Sequence, residues 1–217
     1  MMMKSRLIAL LALLLISTAA MAQVTIDGDA KAGKSKASAC MACHGAKGNS
    51  SNGQFPNLAG QHPSYLYLQL KHFKSHDRKN PIMWGQVANL SDQDMKDLAV
   101  YFSTLQMEVG AADKSVVDKG EHIYRGGIPA KGVPACAACH SAAGYGNPGV
   151  PYPRLAGQKA QYVATQLQNY RADKRGDYPA AQIMNGVAKN LSDDEIQAVA
   201  SFVSGLYVKG NQSASAE

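Results

Sequence analysis

A set of landmarks occurs twice, in the same order, along this chain of 217 residues. Cys40-Met41-Ala42-Cys43-His44 returns 96 residues later as Cys136-Ala137-Ala138-Cys139-His140. Phe55-Pro56-Asn57-Leu58-Ala59-Gly60-Gln61 returns 97 residues later as Tyr152-Pro153-Arg154-Leu155-Ala156-Gly157-Gln158, and Tyr65, Gln69 and Leu70 keep that offset in Tyr162, Gln166 and Leu167. Ile82-Met83 and Asn89-Leu90-Ser91-Asp92 return 101 residues later as Ile183-Met184 and Asn190-Leu191-Ser192-Asp193. A chain duplicated in this way folds as two like units, not as one large core. Each half has fewer than a hundred residues. Units that small bury a limited share of their surface and often need a staple, which a large apolar bound group would provide.

The two ends fall outside the repeat. Lys4 and Arg6, the apolar run Leu7 to Ile16 and the small-x-small string Ala20-Met21-Ala22 form the pattern of a cleavable export signal. The apolar run is too short to span a bilayer comfortably. Setting residues 1–22 aside leaves 20 basic against 16 acidic side chains and five of the nine methionines. The expected organisation is a signal peptide over 1–22, a first domain over 23–106, a linker over 107–117, a second domain over 118–208 and a disordered tail over 209–217. Within the linker, Gly110-Ala111-Ala112-Asp113-Lys114-Ser115 has low bulk and no apolar period. A hydrophobic share of 46% excludes a disordered chain, and Gly and Pro are too few for a fibrous one.

The periodicity predicts helices. Ser91 caps one, with Asp94 three residues on and Leu90 and Met95 placed as a hydrophobic staple. The stripe Met95, Leu98, Ala99, Phe102, Leu105 follows at helical spacing. Ser192, Glu195, Leu191 and Ile196 repeat the cap, and Ile196, Val199, Ala200, Val203, Leu206 repeat the stripe. Pro63 suits the first turn of a helix running towards His76, paralleled by Ala160 to Arg171. No stretch shows sustained strand alternation. The fold class expected is all-α, two tandem domains of three to five helices each.

Export implies an oxidising compartment, where paired cysteines normally become disulfides. The immediate histidine argues for different chemistry, because Cys-x-x-Cys-His is the attachment motif of c-type haem. Two thiols on one helical turn reach the two vinyl groups on one side of a porphyrin, and the next imidazole rises to the iron from that face. A redox disulfide of the thioredoxin kind belongs to a βαβ pattern that is lacking here, and 92 residues separate Cys43 from Cys136, far beyond a zinc ribbon's spacing. Cys40, Cys43, Cys136 and Cys139 are thus expected to bind two haem c groups covalently, with His44 and His140 as iron ligands.

A second axial ligand should be duplicated as well. Met83 and Met184 are the only equivalent methionines of the two halves, and thioether sulfur is a haem ligand that raises the reduction potential. A methionine near a helix start is more often core filler; the coincidence of position outweighs that here. Met95 and Met107 fit helix core and linker. His62, His72 and His76 fall opposite Lys159, Asn169 and Asp173, so these three, with His122, are expected to be solvated surface side chains. Pro56 and Pro153 are open to two readings, as turn formers or as carbonyls accepting the other N–H of the ligand histidine.

On these residues the chain resembles the diheme cytochrome c4 family of class I c-type cytochromes, over nearly the whole of the mature sequence. The twin Cys-x-x-Cys-His motifs, the Phe/Tyr-Pro-x-Leu-Ala-Gly-Gln strings, Tyr65 and Tyr162, the Ile-Met pairs and the stretch Tyr124 to Gly127 with Lys131 to Cys136 carry the resemblance. It implies two cytochrome c folds about a pseudo-twofold axis, His/Met ligation in each, and electron delivery to a terminal oxidase. It also favours the Pro56 and Pro153 carbonyls as partners of His44 and His140. Trp84 opposite Asn185, beside the methionines, implies unequal haem surroundings.

The function expected is a periplasmic carrier, not an enzyme, that passes single electrons between respiratory-chain donors, quinol- or dehydrogenase-side, and a terminal oxidase. The rivals are a cytochrome subunit of a dehydrogenase, such as a flavocytochrome sulfide dehydrogenase, and a diheme peroxidase, which needs an iron that opens. Lys71, Lys74, Arg78 and Lys79, with His72 and His76, concentrate positive charge in one segment. A charge run of this kind is usually a solvated helix face, with steering towards an acidic partner surface as the sharper alternative; loose peripheral membrane association is a separate open expectation. Nucleic-acid binding does not suit an exported protein, and no phosphate-cradling loop or paired-carboxylate site is evident.

Overall fold

The computed structural model describes residues 25–150 and 152–207. The expected export signal over 1–22 and the expected tail over 209–217 lie outside the described residues. Among the described residues ten α-helices follow one another, five in each half: α1 Ala30–Lys36, α2 Ser38–His44, α3 Pro63–Ser75, α4 Pro81–Val87, α5 Asp92–Ser103, then α6 Val117–Gly126, α7 Ala137–His140, α8 Ala160–Arg171, α9 Pro179–Ala188 and α10 Asp193–Gly205. Two isolated bridges, Ile128 with Val133 and Asn147 with Tyr152, are the only extended pairings among the described residues. None of the described helices is long and apolar enough to cross a membrane.

Local chemistry sets the helix ends. Ser91 and Ser192 each accept from the backbone N–H three residues on, while Asp94 and Glu195 return the bond, so both capping boxes form as their sequences dictate. Proline opens α3, α4 and α9, where its missing N–H costs nothing. The stripes close two cores. Leu66, Leu98, Ala99 and Phe102 gather in the first half; Ile123, Tyr124, Ile196, Val199, Ala200 and Val203 gather in the second.

In each half the first helix lies across the last, and glycine permits the approach. A Cβ on Gly33 of α1 would stand 2.1 Å from the Asp97 carbonyl oxygen, and one on Gly120 of α6 would stand 2.2 Å from that of Ala198. The helices touch backbone to backbone there, which only hydrogen in place of a side chain allows.

The halves meet through a reciprocal exchange. Asn57 N–H donates to Gln158 Oε1 at 2.8 Å, and Gln158 Nε2 donates to the Asn57 carbonyl at 2.9 Å. In the mirrored place Arg154 N–H donates to Gln61 Oε1 at 2.8 Å, and Gln61 Nε2 donates to the Arg154 carbonyl at 2.9 Å. Asn57 and Arg154 are repeat equivalents, as are Gln61 and Gln158, so the contact is self-complementary in the manner of a twofold interface. The segment between α5 and α6 runs pinned along this seam. Met107 is buried, Gly110 N–H bonds the Ser204 carbonyl at 3.0 Å, and Asp113 N–H bonds Ser201 Oγ at 2.8 Å.

Candidate functional site

α2 carries Cys40, Cys43 and His44 at positions i, i+3 and i+4, one helix face. α7, with Cys136 as its N-cap, carries Cys139 and His140 likewise. Directly after each histidine the backbone turns to positive φ, at Gly45 (83°) and Ser141 (66°), which stops the helix and sends the chain into a loop. Gly48 and Gly144 fold that loop back, their carbonyls accepting from Leu58 and Ala59 in one half and from Leu155 and Ala156 in the other. The return places a proline carbonyl over each imidazole.

His44 Nδ1 lies 2.9 Å from the Pro56 oxygen, and His140 Nδ1 lies 2.9 Å from the Pro153 oxygen. A carbonyl can only accept, so Nδ1 carries the proton and Nε2 is left with its lone pair. Both rings are buried, and burial pushes their pKa values below the ordinary imidazole range despite the opposing pull of the carbonyl. A neutral imidazole with a fixed tautomer is the ligand form. The four cysteines form no disulfide; burial raises the Cys40 thiol and pushes Cys136 up to about 11.

These groups share a cavity of about 670 Å³ that reaches through both halves. Cys40, Cys43, His44 and Pro56 line it, as do their equivalents Cys136, Cys139, His140 and Pro153, and so do Met83 of α4 and Met184 of α9. Leu66, Leu98 and Phe102 in one half, and Leu155, Val199 and Val203 in the other, supply apolar walls. The donor set fits a covalently held porphyrin in each half: two thiols on one turn, a tautomer-fixed imidazole and a thioether on the wall of the same cavity.

Three readings of the sequence need correction. His62 is buried, its Nε2 2.7 Å from the Tyr145 carbonyl of the other half. His72 is part-buried and stacks on Tyr178 across the seam, with centroids 3.9 Å apart. Neither is a solvated histidine, because each faces the opposite half; His76 and His122 are exposed. The basic segment is not one solvated face either. Arg78 is buried, donating to Gln69, Tyr162 and Gln166, and Lys74 Nζ bonds the Leu90 carbonyl, while Lys71 and Lys79 stay exposed.

Trp84 and Asn185 differ in partners as well as in kind. Trp84 stacks on His76 at 5.2 Å, and Asn185 donates to Asp173. His76 and Asp173 are themselves repeat equivalents, both at positive φ. Sequence reasoning missed one pair outright: Arg78 and Arg175 keep the 97-residue offset of Tyr65 and Tyr162 and sit together at the seam.

Helical halves of this kind, each with its attachment turn under a proline carbonyl, define a tandem c-type cytochrome. The family model for cytochrome c matches the chain twice, over residues 30–106 and 117–206. Cytochrome c4 of Azotobacter vinelandii is 46% identical over 189 residues, covering 83% of this chain and 90% of that one. The crystal structure of reduced recombinant cytochrome c4 from Pseudomonas stutzeri superposes with a TM-score of 0.80 at 43% identity, covering 83% of this chain and all of the other. A protein of Stutzerimonas stutzeri strain A1501, described as a thiosulfate dehydrogenase electron acceptor, is 39% identical over 171 residues, covering 76% of this chain and 78% of its own. The chain belongs to the cytochrome c family, in its diheme cytochrome c4 branch. It carries two covalently attached haem c groups, one on each Cys-x-x-Cys-His motif, and its role is electron transfer.

Proposed function

We propose that this chain is a periplasmic carrier that moves single electrons between respiratory-chain donors and a terminal oxidase, with His44 and Met83 holding one iron and His140 and Met184 the other. One observation carries this reading: in each half a tautomer-fixed imidazole and a methionine from a separate helix line the same apolar cavity. The bound haem supplies a one-electron couple. The protein residues do the rest. Cys40, Cys43, Cys136 and Cys139 would tether the two groups, the Pro56 and Pro153 carbonyls hold the imidazoles in the ligand tautomer, and Met83 and Met184 would each supply a second ligand to an iron. Saturated ligation leaves no place for a substrate, which favours a carrier over a peroxidase, and apolar walls limit solvent rearrangement when the charge changes.

The test is optical. The pyridine haemochrome spectrum should count two haems per chain, and the ferric protein should be low-spin with the far-red band of iron–methionine ligation. Met83→Ala and Met184→Ala should each abolish half of that band and make one iron high-spin and cyanide-binding, with two haems still attached. A wild-type protein that is high-spin and ligand-accepting at neutral pH would overturn the assignment. A second reading, acceptor for a periplasmic dehydrogenase, draws support from the relative described as an electron acceptor of thiosulfate dehydrogenase. Reduction of the holoprotein by such a dehydrogenase faster than by a quinol-oxidising complex would favour it.

A further inference from the structure

The two attachment turns follow the same backbone path with different residues. Directly after the histidine, Gly45 stands at φ 83° and ψ 151°, and Ser141 stands at φ 66° and ψ 158°. That corner of backbone space is essentially reserved for glycine, because a Cβ there meets the backbone itself. Gly45 occupies it freely. Ser141 occupies it under strain, and a residue held in this way persists only where its surroundings over-determine it.

Three bonds converge on Ser141. Tyr124 Oη donates to its carbonyl at 2.7 Å, Gly144 N–H donates to the same oxygen at 3.1 Å, and Ser141 Oγ accepts from the Tyr145 N–H at 3.0 Å. Only the first comes from outside the loop. Tyr124 is fully buried on α6, with its ring 5.4 Å from that of Phe202 on α10. Burial holds the phenol well above its ordinary pKa, so the hydroxyl keeps the proton it donates. Arg125, the next residue, reaches the Ala142 carbonyl at 3.2 Å, but it is exposed and shared with Glu121, so water competes for it. The first half has no such brace. By the 87-residue offset of Gly33 from Gly120, Ala37 stands where Tyr124 does. The side-chain hold on the first turn is local, from Ser50 Oγ to the Cys43 carbonyl at 2.9 Å.

The brace reaches the imidazole through the loop. Gly146 N–H donates to the His140 carbonyl at 2.8 Å, and the Gly144 carbonyl accepts from Leu155 and Ala156 at 2.8 and 3.0 Å. Between these anchors lies Pro153, whose oxygen is 2.9 Å from His140 Nδ1. We propose that Tyr124 is a positioning residue for the second haem: its hydroxyl holds the strained Ser141 turn closed and thereby fixes the His140–Pro153 bond. This rests on the reading of His140 as an iron ligand. A firm bond from Nδ1–H raises the basicity of the ligand nitrogen, and a more basic ligand favours the oxidised iron. The halves are therefore tuned through different parts, the first by glycine and its own loop, the second by a phenol from α6.

The experiment is a redox titration of the holoprotein and its Tyr124→Phe, Ser141→Gly and double variants, after two attached haems and the low-spin spectrum have been verified in each. The Met83 and Met184 methyl resonances, followed by NMR, report the two halves separately. Loss of the hydroxyl frees the turn and loosens the His140 bond, so the midpoint of the second half should rise in Tyr124→Phe. The expected change in the reduced-to-oxidised ratio at fixed potential is about threefold or more, about 28 mV for a one-electron couple. The midpoint of the first half should stay in place. The His140 Nδ1 proton should exchange with solvent several-fold faster, with that of His44 unchanged. Ser141→Gly alone should move neither midpoint. In the double variant the glycine needs no brace, so the second midpoint should return, a rescue that lost packing would not produce.

An unchanged second midpoint in folded, doubly loaded, low-spin Tyr124→Phe would overturn the proposal and leave the carrier reading intact. A shift shared equally by both halves, or one that Ser141→Gly fails to reverse or itself produces, would overturn it too. Should Tyr124→Phe not fold as a holoprotein, the double variant must, because its turn is unstrained; failure of both would equally end the proposal. A wild type that lacks the low-spin spectrum refutes the carrier reading instead.

Discussion

Gln158→Ala tests whether the reciprocal seam holds the two haem domains in register. Gln158 and Asn57 are both nearly inaccessible, 5% and 1% exposed, so water does not already compete for their bonds. The substitution deletes the acceptor of the Asn57 N–H and the donor to the Asn57 carbonyl, buried bonds of 2.8 and 2.9 Å, together with the acceptor of the part-buried Lys159 N–H at 2.9 Å, which solvent can replace. Each buried partner left unsatisfied costs about 1–3 kcal/mol, so the raw loss is about 2–6 kcal/mol. Truncation also opens a polar gap, and a water entering it repairs part of the loss, which brings the expectation to about 3 kcal/mol. The haem ligands are untouched, so the optical spectrum should not change. Thermal unfolding of the holoprotein, followed by calorimetry, should shift downwards and broaden or split as the halves lose cooperation. Electron exchange between the haems, read from fast-reduction transients, should slow. A stability change below about 1 kcal/mol with one sharp transition would refute the claim that this pairing carries the interface.

Gly120→Ala should cost about 1–3 kcal/mol by overpacking, because its Cβ meets the Ala198 carbonyl; urea unfolding of the second domain would check it, and an unchanged midpoint would contradict the crossing. His62 is held neutral, its pKa lowered by burial and further by the Arg154 charge. A group depressed in the folded state binds its proton in the unfolded chain first, so its stabilising share is complete above the unfolded value of about 6.5 and is lost as pH falls below it. His62→Gln should therefore be less stable at pH 8 but show a flatter stability profile towards pH 5.5, measured by denaturant midpoint; an equal slope would refute the assignment. Pro56→Ala retains a backbone carbonyl, so the bond to His44 and the haem potential should persist, with about 0.4–1 kcal/mol lost through the freer unfolded chain. A large drop in potential in that variant would mean that proline rigidity, not the carbonyl, tunes the ligand.

What could be read from the sequence alone follows from which interactions are local. The capping boxes at Ser91 and Ser192 involve residues three apart, so they were visible, and with them α5 and α10. The attachment turns compress their chemistry into five residues and were equally plain. The opening helices α1 and α6 went unmarked. Their key residues, Gly33 and Gly120, are 87 positions apart, off the 96-to-101 spacing of the other landmarks, and a glycine in a helix shows its purpose only once the crossing partner is in place. The seam misled in a different way. His62 and His72 have no repeat counterparts, which suggested a surface role, yet they face the other half because that half presents Tyr145 and Tyr178, which sequence spacing does not bring near. Arg78 was absorbed into a basic run, although its offset from Arg175 equals that of Tyr65 from Tyr162. A charge run averages over side chains that tertiary packing then separates, sending Lys71 outwards and Arg78 inwards. The same logic explains where the halves differ. His76 with Trp84 and Asp173 with Asn185 are contacting pairs that differ between the halves, one an aromatic stack and the other a hydrogen bond, each beside a methionine of the cavity wall. A duplicated redox protein can diverge in this way because the attachment turn and the imidazole hydrogen bond are backbone-determined, while the rim is side chain alone.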